Sequence, residues 1–366
     1  MEQTSKKILI LYTSVGLGHK SMAENIGYYL VTAGFEVRLE DNLQVNRGAL
    51  VTAGRVVYYW ISSLLPFIWS FLYRSQGFSD LTLPWRLKVA GRNYQKLWML
   101  VREFQPDLII STHTTASAVV AFLKQHHLYF GKFGIAFSDF HLHRYWLYEQ
   151  ADFYLANIVE QKSEMLRLGI PEQKIFVCGM SLKPKSEVDR SKVKTRLGIT
   201  PGEKIILLGS GSQGLGISRQ TLQALCALPD TRVIAVCGKN QELLLELQAW
   251  KNSHLLALPY YSPMEELYAI ADFFVTKPGG LSVSEALRFY LPMLIDHVLP
   301  GQEEYNYFYL LKNRLVMPRP KDMAAAIVEE NRSHLFQEQL RHNPALSKLF
   351  PDPVILQTSV RKILEI

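Results

Sequence analysis

His19 stands inside a glycine turn, Gly16-Leu17-Gly18-His19-Lys20-Ser21, between a short apolar run at residues 7–14 and a helical pattern that Gly34 ends. Glycines let a ligand approach the backbone, and helix-start N–H groups attract negative charge. An imidazole here would crowd a pyrophosphate. A neutral one can instead take a proton from an attacking hydroxyl. The competing reading is a dinucleotide fingerprint, which wants a third glycine where Ser21 stands. It also wants an acid at the end of the second strand, which Glu40 or Asp41 supplies. A turn histidine with no chemical task is the plain alternative.

A second turn, Gly209-Ser210-Gly211-Ser212-Gln213-Gly214, matches the same fingerprint letter for letter. Here the acid is missing, because the following strand ends in Cys237-Gly238-Lys239-Asn240. The turn can still cradle a diphosphate through its N–H groups and Ser210 or Ser212. Neither turn carries the Walker pattern of a glycine directly before a Lys-Ser/Thr pair, since His19 precedes Lys20-Ser21 in the first, which speaks against a P-loop NTPase. A third strand-to-helix turn reads Thr276-Lys277-Pro278-Gly279-Gly280, followed by Ser282, Ser284 and Glu285. A carboxylate in that position can bind two vicinal hydroxyls, as on a ribose, or simply favour the helix dipole. Pro300-Gly301-Gln302-Glu303 opens a further helix with two residues suited to gripping sugar hydroxyls. His141 and His143, in Ser138-Asp139-Phe140-His141-Leu142-His143, have the look of metal ligands. No second ligand cluster at metal spacing accompanies them, so they are expected to line a crevice instead.

The elements that must position these residues alternate. Strands are expected at 35–39, 107–111, 133–138, 153–156 and 175–178, with helices such as 116–125 and 160–168 between them. The pattern restarts with strands at 204–208, 232–236, 255–258, 273–276 and 293–296. Alternation of this kind means buried parallel sheets, the α/β class. The 366 residues allow about two domains. The polar stretch 183–196 reads as an exposed linker, with the boundary near 181–200. A striped helix is expected at 353–366. Hydrophobic residues make up 48% and charged residues 20%, which excludes a disordered chain or a coiled coil. Cys178, Cys226 and Cys237 are odd in number and dispersed, which argues against a disulfide framework. With no signal-peptide pattern at the start, a reducing, cytosolic location is expected.

One region departs from the alternation. From Val56 to Tyr73 there are 18 residues without a charge, among them Tyr59, Trp60, Phe67 and Trp69. Between Arg55 and Arg102 there are seven basic residues and one acid, so +6 of the chain's +7 lies in this stretch. Aromatic residues beside a basic helix make an interfacial membrane contact. A buried helix pair with a solvated basic face is the structural alternative. A membrane span is disfavoured by Pro66 and by aromatics that run throughout the stretch. Nucleic acid is set aside, since no reading motif accompanies the charge.

Taken together, these motifs in this order resemble the GT-B glycosyltransferases of the monogalactosyldiacylglycerol synthase and processive diacylglycerol β-glucosyltransferase family. The resemblance rests on Gly16-Leu-Gly18-His19, Ser138–His143, Cys237-Gly238-Lys239-Asn240, Thr276–Gly280, Ser284-Glu285-Ala286 and Pro300–Glu303. It implies two Rossmann-like domains with parallel sheets facing a central cleft. Residues 1–182 would form the acceptor and membrane-binding domain and 200–345 the UDP-sugar-binding domain, with helix 353–366 packing back on the first. It implies transfer of a hexose from UDP-glucose or UDP-galactose to diacylglycerol, with inversion to a β-glycoside. His19 would be the base, supplemented by Asp139. Gly209, Ser210, Gly211, Ser212, Gln213, Gly214, Lys277, Gly279, Gly280, Ser284, Glu285, Gln302 and Glu303 would hold the donor. Gly18, Tyr59, Trp60, Phe67, Trp69, Arg86, Lys88, Arg92, His141 and His143 would serve the acceptor and anionic membrane lipids. No metal or other cofactor is expected, and the enzyme would work peripherally on the inner face of the cell membrane. Asp296-His297-Val298 departs from the family pattern and leaves the sugar open. The rival readings are another lipid acceptor such as a polyprenyl-linked cell-wall precursor, an NAD-dependent oxidoreductase, a UDP-sugar epimerase, and a non-catalytic membrane-surface module.

Overall fold

The computed structural model describes residues 5–14, 18–42, 75–209, 211, 218–299 and 301–365. The chain divides into one unit of residues 1–183, 300–302 and 348–366, and a second of 184–299 and 303–347.

The first unit is built on β1 (Lys7–Tyr12), β2 (Glu36–Asp41), β3 (Leu108–Ser111), β4 (Lys132–Ala136), β5 (Phe153–Ala156) and β6 (Ile175–Val177). They pair in the order β2-β1-β3-β4-β5-β6, every pair parallel. The apolar runs have no polar alternation because both faces are covered. On one face α1 (Gly18–Thr32) and α15 (Val354–Ile363) pack Ile26, Leu30, Leu356 and Val360 against Ile8, Ile10 and Ile110. On the other lie α2 (Gln76–Gly91), α3 (Gln95–Phe104), α4 (Thr114–Gln125) and α5 (Val159–Arg167), whose Ala90, Leu97, Val120 and Met165 meet Leu9, Ile109 and Phe133. Helix α15 is tied to α1 by Gln357 Nε2, which donates to the Tyr29 carbonyl at 2.9 Å, and by Arg361 Nη2 to the Ala33 carbonyl at 2.8 Å.

The second unit carries α6 (Arg190–Arg196), β7 (Lys204–Gly209), α7 (Arg219–Cys226), β8 (Thr231–Val236), α8 (Gln241–Ala249), β9 (Leu255–Leu258), α9 (Met264–Ile270), β10 (Phe273–Thr276), α10 (Gly280–Leu287) and β11 (Met293–Ile295). Helices α11 (Gln302–Lys312), α12 (Met323–Ser333), α13 (Leu335–Arg341) and α14 (Pro344–Leu349) follow. Its sheet runs β11-β10-β7-β8-β9, again all parallel. Gly209 is required for packing, because a Cβ there would lie 2.6 Å from the Phe274 ring.

Most expected strands fall within a residue or two of their observed bounds. Within the polar stretch 183–196, Asp189 accepts from the Lys192 amide at 3.1 Å and caps α6. The aromatic residues Tyr59, Trp60, Phe67 and Trp69 lie outside the described residues. Among the described residues no helix is long and apolar enough to cross a membrane. All three cysteines are free and buried.

Candidate functional site

In open α/β sheets, ligands bind beyond the carboxyl ends of the strands, where the strand order reverses. The first sheet reverses between β1 and β3, and the second between β7 and β10. Among the described residues, His19 stands at the first of these places and Lys277 with Gly279 at the second.

At the first reversal, His19 is the second residue of α1, and its backbone carbonyl accepts from Thr112 Oγ1 at 3.0 Å. Thr112 follows β3 directly and also donates its N–H to Leu11 of β1 at 2.9 Å, so the ends of both strands hold His19 in place. The His19 ring is half-buried. Its Nδ1 is sealed from solvent and has no hydrogen-bond partner among the described residues. Burial lowers its pKa below 6.5, while the charge of Asp139 pulls it back up. The ring is thus neutral near pH 7, the state a base requires. Gly18 precedes it with open space where a Cβ would stand, and Gly16 lies outside the described residues.

Asp139 is buried in the segment after β4. Two amides that sequence reading missed fix this segment. Asn157 Nδ2 donates to the carbonyls of Phe137 at 2.6 Å and Asp139 at 3.0 Å. Gln161 Nε2 donates to Asp139 and His141, each at 2.9 Å. Gln161 Oε1 in turn accepts the Asn157 amide at 2.7 Å. Three buried carbonyls are thereby satisfied, and the path past Asp139 and His141 is set.

The expected acceptor residues separate in the structure. His143 is buried, caps the turn at 144–146 by accepting from the Tyr145 amide at 3.1 Å, and stacks on the Tyr145 ring. Arg86 was expected to meet lipid, but its guanidinium is committed within the fold. It donates to the Tyr145 carbonyl at 2.8 Å and to Tyr148 Oη at 3.1 Å, and it lies over both rings. Lys88 on α2 and Arg92 at its C-cap remain exposed, and Leu81 and Trp85 of the same helix are exposed as well.

At the second reversal, Thr276 Oγ1 donates to the Gly209 carbonyl at 3.0 Å and so joins the ends of β7 and β10. Lys277 lies across Gly211, whose added Cβ would come within 3.1 Å of Lys277 Cε. Gly211 has φ +76°, a backbone state that favours glycine. Lys277 Nζ pairs with Glu303 Oε1 at 2.7 Å, and Glu303 Oε2 accepts the Leu299 amide at 3.0 Å. Gly279 is the N-cap of α10, so no side chain caps the first N–H groups of that helix. Asn306 anchors the turn by donating to the Pro278 carbonyl at 3.0 Å. Burial raises the Glu285 carboxyl to about 7, with repulsion from Glu265 adding to it. Ser284 departs from expectation. It is fully buried, and its hydroxyl is used on the Gly280 carbonyl one turn back at 2.7 Å, so it presents nothing to a ligand. Ser210, Ser212, Gln213, Gly214 and the side chain of Gln302 lie outside the described residues.

Two histidines beyond the expected set stand at these places. His297 Nδ1 is sealed without a hydrogen-bond partner among the described residues, 3.9 Å from Asp296. The His113 ring meets the His19 ring edge-on, with centroids 4.6 Å apart. The only sequence signal for it is a polar run, Ser111-Thr112-His113-Thr114-Thr115, at the junction of a strand and a helix.

Comparison with known proteins gives a consistent picture. Residues 33–182 match the family model for monogalactosyldiacylglycerol (MGDG) synthase. The chain is 26% identical over 354 residues to a processive diacylglycerol beta-glucosyltransferase of Bacillus pumilus, covering 93% of this chain and 90% of that one. It is 27% identical over 312 residues to the Bacillus subtilis protein of the same name, covering 83% and 80%. Among solved structures it superposes on the glycotransferase of kitacinnamycin with a TM-score of 0.67 at 13% identity, covering 98% and 99% of the two chains. It also superposes on the UDP-GlcNAc 2-epimerase of Neisseria meningitidis bound to UDP-GlcNAc, with a TM-score of 0.65 at 13% identity, covering 98% and 100%. These last two likenesses show the fold and nothing of the chemistry.

Proposed function

We infer that this chain, a GT-B hexosyltransferase of the monogalactosyldiacylglycerol synthase and processive diacylglycerol β-glucosyltransferase family, moves glucose or galactose from a UDP-sugar to the free hydroxyl of diacylglycerol with inversion. The observation that carries the reading is His19, an uncharged imidazole held at the strand-order reversal of the first sheet. The diacylglycerol oxygen attacks the anomeric carbon while His19 takes its proton. The bond from that carbon to the diphosphate oxygen breaks, and the bonding pair leaves with UDP. Asp139 stabilises the imidazolium that forms. Attack opposite the leaving group gives a β-glycoside.

On the donor side, Lys277 and the N–H groups at the start of α10, which no side chain caps, take up the charge that develops on the diphosphate. Glu285 accepts from the ribose hydroxyls, and Glu303 with Gln302 accepts from the sugar. Fixed dipoles and Lys277 serve where a divalent ion serves in other transferases, so no metal enters the proposal. The enzyme works from the cytoplasmic side of the membrane, and the exposed Lys88 and Arg92 draw it to anionic lipid. In the test, His19→Ala is assayed with UDP-glucose and dioleoylglycerol vesicles. Turnover is expected to fall on the order of 10²-fold or more. Near-normal turnover removes His19 from the role of base.

A further inference from the structure

We propose that His113 is a second acceptor-binding residue. In this role its Nε2–H donates to an acceptor oxygen next to the attacking hydroxyl and holds that hydroxyl against His19. The proposal rests on the reading that the first unit receives the acceptor.

His113 caps α4, with extended backbone and its ring turned back onto the helix. Nδ1 accepts from the Thr115 amide at 3.2 Å and lies 2.8 Å from Thr115 Oγ1. An atom accepting an N–H carries no proton of its own, so the neutral ring bears its proton on Nε2. Burial, with His19 alongside, holds the His113 pKa well below 6.5 and keeps the ring in that neutral form. No described residue accepts from Nε2. The ring is half-buried, so this N–H is left for a ligand or water.

Capping alone does not call for histidine, because asparagine, aspartate and serine cap helices at least as well. What histidine adds is a rigid ring with a donor on its far edge. That edge is aimed by more than the cap. His19 and His113 both lie against Trp146, with centroids 6.0 Å and 6.2 Å from it, and the two histidine rings stand nearly perpendicular at 87°. A base and a donor on adjacent perpendicular rings fit an alcohol flanked by a second oxygen. Two sources offer that pattern: the ester oxygens of diacylglycerol, and the sugar hydroxyls of an already glycosylated lipid.

The test uses His113→Asn and His113→Ser, both of which keep a capping acceptor for the Thr115 amide. Acceptor KM and kcat are measured with dioleoylglycerol vesicles and, in a separate arm, with glucosylated dioleoylglycerol, at saturating UDP-glucose. UDP binding and Tm are followed in parallel. Acceptor KM is expected to rise about fivefold to tenfold, the loss of one ligand hydrogen bond, with UDP affinity and Tm close to wild type. The arm that changes identifies the oxygen source. Acceptor KM within twofold of wild type in both arms overturns the proposal. So does a collapse of the fold in both variants, which would assign His113 to packing. His19→Ala, run alongside, separates the two ideas: if it loses turnover while the His113 variants are unchanged, the base stands and only this proposal fails.

Discussion

The Glu285 carboxyl makes the donor site sensitive to pH in a way that can be worked from its surroundings. Burial and Glu265 raise its pKa from 4.5 to about 7, against the opposing pull of Tyr268 and Arg288. Only the ionised carboxylate accepts from two ribose hydroxyls at once. The ionised share is about 90% at pH 8, about half at pH 7 and about 10% at pH 6. An apparent Kd scales inversely with the competent fraction, so the Kd for UDP-glucose should weaken about tenfold from pH 8 to pH 6. The sign for stability is the reverse. A carboxyl with a raised pKa binds its proton more tightly in the folded state, so the stability it contributes is present below pH 4.5 and is lost as pH rises through 7. The shift corresponds to about 3 kcal/mol. Glu285→Gln should therefore be the more stable protein at pH 8, yet bind UDP-glucose more weakly and with no pH slope. Titration calorimetry with UDP-glucose between pH 6 and 8, paired with denaturant unfolding at pH 8, reads both effects. A wild-type Kd that stays flat over this range, or a Glu285→Gln variant that keeps the slope, refutes the assignment of Glu285 to the ribose.

Asn157→Ala or Gln161→Ala leaves buried carbonyls around Asp139 unpaired and should cost about 1–3 kcal/mol of stability. Because the segment bearing Asp139 loosens, kcat should fall while donor KM holds, as steady-state kinetics will read. Lys277→Met strands the buried Glu303 carboxylate and should cost about 3–5 kcal/mol in urea unfolding. UDP binding should also be lost, and a protein that bound UDP as wild type would clear Lys277 of the diphosphate role. Arg86→Ala should lower Tm without changing sedimentation with phosphatidylglycerol vesicles, since its guanidinium is bonded to Tyr145 and Tyr148. The double change Lys88→Glu with Arg92→Glu should weaken that sedimentation at low salt and leave Tm close to wild type.

The sheets were legible in the sequence because a buried parallel strand is a local apolar run. His19, Lys277 and Glu285 stand out as candidates because each lies within a few residues of a glycine pattern at the end of an apolar run. What stayed hidden depends on contacts distant in the chain. Arg86 reads as a surface charge until Tyr145 and Tyr148 come to lie beneath it. Ser284 reads as a free hydroxyl until its helix turns it inward. Asn157 and Gln161 stand at ordinary helix-start spacing, and nothing local marks them as the support for a segment some 20 residues earlier. His113 joins His19 only because β3 pairs beside β1, a reversal of strand order that no single window of sequence contains.

The central claim is transfer of a hexose from a UDP-sugar to diacylglycerol. The most direct measurement incubates the protein with radiolabelled UDP-glucose or UDP-galactose and dioleoylglycerol vesicles, then separates the lipids. A labelled β-glycosyl-diacylglycerol formed from one of the two donors, and absent with His19→Ala, is the predicted result. Label that remains in a UDP-sugar, unchanged or epimerised, with no glycolipid from either donor, would contradict it.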